Sequence, residues 1–169
     1  MTIKYWKGLA AVALMAFGMS SAQSAFGMSS GQDDDWQARR LEGSWMFQIS
    51  LQDCNSGTPI GTPFLSLLTF ARGGTVTETT SNPAFVPPTV RGPGHGIWKH
   101  EEHRAYEATT TAFITVNGVL ARTQTITQTI ELEGEDSLKT TKASVKFFSP
   151  TGSLLVTGCA VATAKRIEF

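Results

Sequence analysis

Between Gly92 and Tyr106 the chain reads GPGHGIWKHEEHRAY, a stretch that holds all three histidines, His95, His100 and His103. Glu101 and Glu102 sit between the last two, and Trp98 and Tyr106 flank them. Imidazoles and carboxylates this close together suit two kinds of chemistry. They could ligate a transition metal, or exchange protons as a general acid and base. Both require the side chains to converge, so their directions decide. In an extended strand successive side chains point to opposite faces. His95, Ile97 and Lys99 then share one face, and Gly94, Gly96, Trp98 and His100 the other. Lys99 favours water, which turns Trp98 and His100 inward and His95 outward. His103 lies in the turn EEHR, so the three imidazoles do not meet on one ion and no metal ligands are assigned. His100 and Tyr106 remain a candidate pair across a hairpin.

The elements that must position these residues are strands. Beyond a possible short helical turn in WQARRLEG, no segment keeps an amphipathic helical period over several turns. Thr, Val, Ile and Phe recur instead in alternation, punctuated by turn residues. Eight candidate strands result: 44–52, 64–72, 75–80, 94–100, 105–116, 119–132, 138–148 and 153–167. Gly73–Gly74, Asn117–Gly118, Gly134–Asp136 and Ser149–Gly152 supply turn chemistry between them. Two connections look long, NSGTPIGTP and SNPAFVPPTVRG. The order predicts an all-β fold, an eight-stranded antiparallel up-and-down barrel able to hold one small ligand.

Length and charge set the outer limits. The 169 residues suit one domain, and the 14 basic and 14 acidic residues balance, so nothing points to nucleic acid. Lys4 and Lys7 precede the apolar run LAAVALMAFGM and the small residues SSAQSA, the order of a secretory signal peptide. Residues 1–24 are read as that signal, cleaved after Ala22 or Ser24, which leaves no stable membrane anchor. Residues 25–40 form a flexible leader, and the barrel domain runs over 41–169. The expected location is secreted or periplasmic. There the two cysteines, Cys54 and Cys159, are expected to form a disulfide.

Closure demands that the first and last strands pair. Trp45 with Arg166 and Cys54 with Cys159 imply nearly the same antiparallel register. They also agree on facing. Trp45, Phe47, Ile49 and Leu51 form the inner face of the first strand; Gly158, Ala160, Ala162, Ala164 and Arg166 form that of the last. Both cysteines face outward.

LEGSWMF, with Gly43 and Trp45 opening the first strand, resembles the G-x-W motif of lipocalins and other calycins. Arg166 matches the arginine that packs over that tryptophan in the family. The resemblance covers the topology from about Leu41 to Phe169 and implies a ligand-binding barrel with a plugged floor at the Trp45 end. No T-D-Y-type second motif and no long helix after the last strand are present, so a small bacterial calycin-like barrel fits better than a kernel lipocalin. Dirigent-type and allene-oxide-cyclase-type barrels have a similar architecture.

The lumen is read from RTQTITQTIEL. Thr123, Thr125, Thr127 and Thr129 share one face, and Arg122, Gln124, Ile126, Gln128 and Ile130 the other. The isoleucines mark the second face as inward, opposite the small Gly158, Ala160 and Ala162. That leaves a cavity with apolar walls and a few polar groups, or a filled core in which the amides bond each other. Arg122, near the mouth, could hold a carboxylate or phenolate. Phe64 and Phe85 could cover the entrance. The expected ligand contacts are therefore Arg122, Gln124, Gln128, Phe47, Ile49, Phe64, Phe85 and Ala160; Trp45, Arg166, His100 and Tyr106 are structural. The expected partner is a small hydrophobic or amphipathic molecule, carried without covalent chemistry or cofactor. The threonine face could serve a homodimer. Two other functions fit. One is an isomerase or cyclase using Arg122, Gln124, Gln128, Tyr106 and His100. The other is an inhibitor that contacts a protein through Asn82–Pro93.

Overall fold

The computed structural model describes Trp36 and residues 39–168. The expected signal peptide and most of the leader lie outside the described residues. Trp36 and Arg39 are helical, and no helix among the described residues is long and apolar enough to cross a membrane.

Nine strands follow: β1 (Gly43–Gln52), β2 (Pro59–Ala71), β3 (Thr75–Thr80), β4 (Thr89–Arg91), β5 (Gly94–Glu102), β6 (Ala105–Val116), β7 (Val119–Leu132), β8 (Ser137–Phe148) and β9 (Leu154–Arg166). Eight of them close a ring, β1-β2-β3-β5-β6-β7-β8-β9 and back to β1, every pair antiparallel. The seam pairs Trp45 with Arg166 and runs on through Phe47–Ala164, Ile49–Ala162 and Leu51–Ala160. Cys159 pairs with Gln52, and its sulfur bonds Cys54 just beyond the strand end. This disulfide spans 105 residues, a closure worth about 4–5 kcal/mol in the chain-entropy treatment.

Two elements depart from the sequence reading. NSGTPIGTP is not a long loop, because β2 starts at Pro59 and pairs Ile60 with Leu51. The turn between is tight because the Asp53 carboxylate accepts hydrogen bonds from the Asn55 and Ser56 amides and the Ser56 hydroxyl. The second departure is β4, a short strand inside the proline-rich connection. It pairs Thr89, Val90 and Arg91 with Val116, Thr115 and Ile114 of β6, and so prolongs the line of β5 toward the loops at its start. Gly92–Pro93 interrupts that line, since proline has no N–H for the ladder.

The floor half of the barrel is filled. Leu41, Trp45, Phe47, Leu68, Phe70, Val76, Trp98 and Tyr106 belong to one buried cluster. Its rings interlock: Phe47 to Phe70 at 6.4 Å, Phe70 to Trp98 edge-on at 6.0 Å, and Trp98 to Tyr106 at 6.1 Å. Residues 40–42 cross below, held by Arg166. Its guanidinium lies 4.2 Å over the Trp45 ring and donates to the Glu42 and Arg40 carbonyls at 2.6 Å each. Trp45 donates its indole N–H to the Leu41 carbonyl at 2.9 Å. Gly43 is required here. Its φ is +121°, and a Cβ would come within 2.7 Å of the Arg166 guanidinium.

Candidate functional site

The opposite half is open. A smaller buried cluster of Ala143, Val145 and Ala160, joined by Ile49, Leu51, Ile126 and Phe147, lines the wall without filling the lumen. Alanines at 143, 160 and 162 leave the space that large side chains occupy at the floor.

The hollow has two adjoining parts. An inner chamber of about 50 Å³ is lined by Ile49, Phe64, Glu78, Arg91, Gln124, Ile126, Gln128, Thr140, Val145 and Ala160. A vestibule of about 420 Å³ lies at the mouth, lined by Leu51, Ile60, Asn82, Phe85, Arg122, Gln124, Val145 and Phe147. Leu51, Asn82, Phe85, Gln124 and Val145 line both, so the two adjoin. Around the mouth the exposed side chains are strongly apolar: Ile60, Val86, Val90, Val119, Leu120, Leu154, Leu155 and Val156.

The polar groups of the chamber form two adjoining systems. In the first, Arg91 donates from Nη2 to Glu78 Oε2 at 2.7 Å, from Nε to Gln124 Oε1, and from Nη1 to its neighbour Gly92 carbonyl. Glu78 also accepts from the Thr110 hydroxyl at 3.3 Å. In the second, the Thr140 hydroxyl donates to Gln128 Oε1 at 3.1 Å. Gln124 and Gln128 are both buried. Each has its amide oxygen engaged, while neither amide nitrogen has a partner among the described residues. Gly94 makes room for the ion pair, since a Cβ there would meet Glu78 Oε2 at 2.7 Å.

Neither Glu78 nor Arg91 figured among the expected contacts. Glu78 was accessible to sequence reasoning, because alternation in TVTETT puts it on the same face as the inward Val76. Arg91 was not. The interruption at Gly92–Pro93 changes the inward positions from even numbers in β5 to Arg91 in β4, and strand periodicity does not cross it.

The expected residues separate into three places. Gln124, Gln128, Ile49, Phe64, Phe85 and Ala160 line the chamber. Arg122 is exposed at the rim and lines only the vestibule, its guanidinium 6.0 Å from the Phe147 ring. Phe47 is excluded from the hollow: it is 1% exposed and packed into the floor, because Phe70 and the rings beyond it fill that level of the barrel. Trp45 and Arg166 close the floor, and Cys54 and Cys159 bridge the seam near the mouth.

His100 and Tyr106 are also at the floor, with their rings 5.2 Å apart. His100 Nε2 lies 3.1 Å from the His103 carbonyl. Burial is the main influence on the Tyr106 hydroxyl and raises its pKa above the ordinary value, against smaller opposite effects of Arg40 and Arg104. The exposed His95 points away from His100. Among the described residues no group of three or more His, Cys, Asp or Glu is placed to hold a metal ion. The five residues of the isomerase reading are not assembled. Gln124 and Gln128 share the chamber, Arg122 is at the rim, and His100 and Tyr106 lie beyond the aromatic floor.

Fold and site together define a closed, eight-stranded antiparallel barrel with a packed floor and a polar-studded hollow. No family model matches the chain, and no curated protein does. Among solved structures it is similar to the crystal structure of Rv2717c from M. tuberculosis, at a TM-score of 0.39 and 12% identity, covering 76% of this chain and 94% of that one.

Proposed function

We propose that this chain is an exported, calycin-like barrel that binds a small hydrophobic or amphipathic molecule. The apolar part of the ligand lies in the vestibule, and its polar end reaches into the chamber. One observation carries the reading: two buried glutamines present unpartnered amide N–H groups to a hollow with otherwise largely apolar walls. Neither nitrogen is sealed from the hollow, since the one fully buried side-chain polar atom without a partner among the described residues is Ser66 Oγ. A ligand oxygen can therefore accept from them at a net gain of about 0.5–1.5 kcal/mol per bond. The vestibule falls in the size range of small-molecule pockets, roughly 300–1,000 Å³, and its apolar rim suits a lipophilic guest.

Export is supported by the Cys54–Cys159 disulfide, which persists in oxidising compartments, and by the charged, apolar and small-residue order of residues 1–24. The calycin-like reading is supported by Arg166 stacked on Trp45 below a closed barrel. Displacement of the neutral fluorophore N-phenyl-1-naphthylamine by a panel of lipophilic molecules tests the function, with mass spectrometry of organic extracts of the purified protein. Saturable displacement supports it. A barrel that neither takes up the fluorophore nor yields an extracted molecule refutes it.

A further inference from the structure

We infer that the chamber selects a ligand whose polar end is uncharged and accepts hydrogen bonds, such as a carbonyl or hydroxyl oxygen, and discriminates against carboxylates and ammonium groups. This rests on the binding reading above and specifies its ligand class.

The argument begins with the charges in the chamber wall. Arg91 and Glu78 are the charged residues lining it, and they are paired with each other at 2.7 Å with side-chain exposures of 2% and 4%. Their charges cancel. The Arg91 guanidinium is committed further to Gln124 Oε1 and the Gly92 carbonyl, and Glu78 to Thr110. An entering carboxylate would therefore leave its hydration for a cation whose charge Glu78 already balances, and an ammonium for a carboxylate that Arg91 already balances. Desolvation of an ion is repaid in a buried site only by a well-placed opposite charge. Arg122 does not provide one, because it is exposed at the rim, where water screens it.

Glu78 Oε1 accepts no hydrogen bond among the described residues and is open to a ligand O–H. The uncommitted donors include the amide nitrogens of Gln124 and Gln128. Their counterpart is an acceptor oxygen without net charge. Chamber size sets a second limit: about 50 Å³ admits a small head group, so the rest of the ligand stays in the vestibule.

The test is a matched series competing with N-phenyl-1-naphthylamine on the wild-type mature protein: decan-1-ol, methyl decanoate, decanamide, decanoate and decylammonium. The neutral members should compete at least about tenfold more tightly than the two ions. Decanoate or decylammonium competing as well as the neutral members overturns the inference and leaves the carrier reading intact. Competition by none of them, with no fluorophore uptake, overturns the carrier reading and this inference with it. Glu78→Gln gives a second readout, since it keeps the side-chain shape but leaves the Arg91 charge unmatched. In that variant decanoate should gain at least about tenfold relative to decanamide, whereas an unchanged ranking in folded protein overturns the inference. If Glu78→Gln does not fold, the wild-type series decides alone.

Discussion

Arg91 and Glu78 meet at 2.7 Å inside the barrel wall, from strands that are not hydrogen-bonded neighbours. β5 continues the line that β4 begins, and Gly94 at its start leaves space for the contact. Through Gln124 the pair joins the proline-rich connection to β7, one strand beyond β6. Removing one partner strands a buried charge. Arg91→Met and Glu78→Met should each destabilise the fold by about 3–5 kcal/mol, whereas the double replacement should lose less than either alone. Urea denaturation of the three variants measures this. A double variant as unstable as the sum of the singles would contradict the account.

Gln128 offers a cleaner probe of binding. Gln128→Met keeps the side-chain length and removes the free amide donor, at the expense of one Thr140 hydroxyl bond. Affinity for a neutral ligand should fall about five- to tenfold, the worth of one net hydrogen bond near 1 kcal/mol. Arg122→Ala should change that affinity by less than about twofold, because its charge is exposed and screened. Titration of both variants with decanamide compares them directly.

Arg166 stacks on one ring and spans two carbonyls, a geometry that lysine does not reproduce. Arg166→Ala should lower stability by roughly 2–4 kcal/mol, from lost charged hydrogen bonds and exposed indole. Arg166→Lys should recover under half of that. Thermal unfolding followed by Trp fluorescence reports both changes, since Trp45 is the ring uncovered.

The seam disulfide acts on the unfolded chain more than on the hollow. Replacing both Cys54 and Cys159 with serine should reduce unfolding free energy by about 2–5 kcal/mol. Ligand affinity at low temperature should stay within about twofold, since Ala160 and Ile49 are positioned by the β1–β9 ladder itself. Loss of binding in a folded serine variant would show that the bridge shapes the site.

Asp53 gives the turn after β1 a pH dependence of known sign. Its carboxylate is favoured chiefly by the Ser56 amide, then by the Ser56 hydroxyl and Asn55 amide, which lower its pKa below the ordinary 3.8. A folded-state pKa below the unfolded one contributes stability above the unfolded value and loses it as pH falls through the folded value. Asp53→Asn should therefore melt below the wild type at pH 7, with the gap closing as pH drops beneath about 3.8. Melting curves across that interval test it, and a gap that widens on acidification would contradict it.

Much of this barrel was legible in the chain because strands advertise themselves by alternation. The facing of β7, with Gln124 and Gln128 inward and Thr125 and Thr127 outward, follows from Ile126 between the glutamines and Ile130 after them. Outside, those threonines bond across to β6, Thr127 to Thr109 and Thr125 to Thr111, each at 3.1 Å. The Trp45–Arg166 register likewise follows from two side chains that must both be inside and at one end. Reading failed where local pattern is silent. NSGTPIGTP read as a long connection, yet pairing with β1 and the Asp53 turn carry the strand back to Pro59.

The sequence by itself determined the order of the eight barrel strands and most of their inward faces, because each is encoded by near neighbours and the two-residue period, while the closed end was implied by the calycin resemblance. Only the tertiary structure decided that Arg91 rather than Arg122 is the inner arginine. It also decided that Phe47 fills the floor and that the hollow narrows from a vestibule to a small chamber. Those facts depend on a strand interruption and on how side chains from different strands share one volume. Such volume is a difference between wall and filling, set by contacts among residues far apart in the chain.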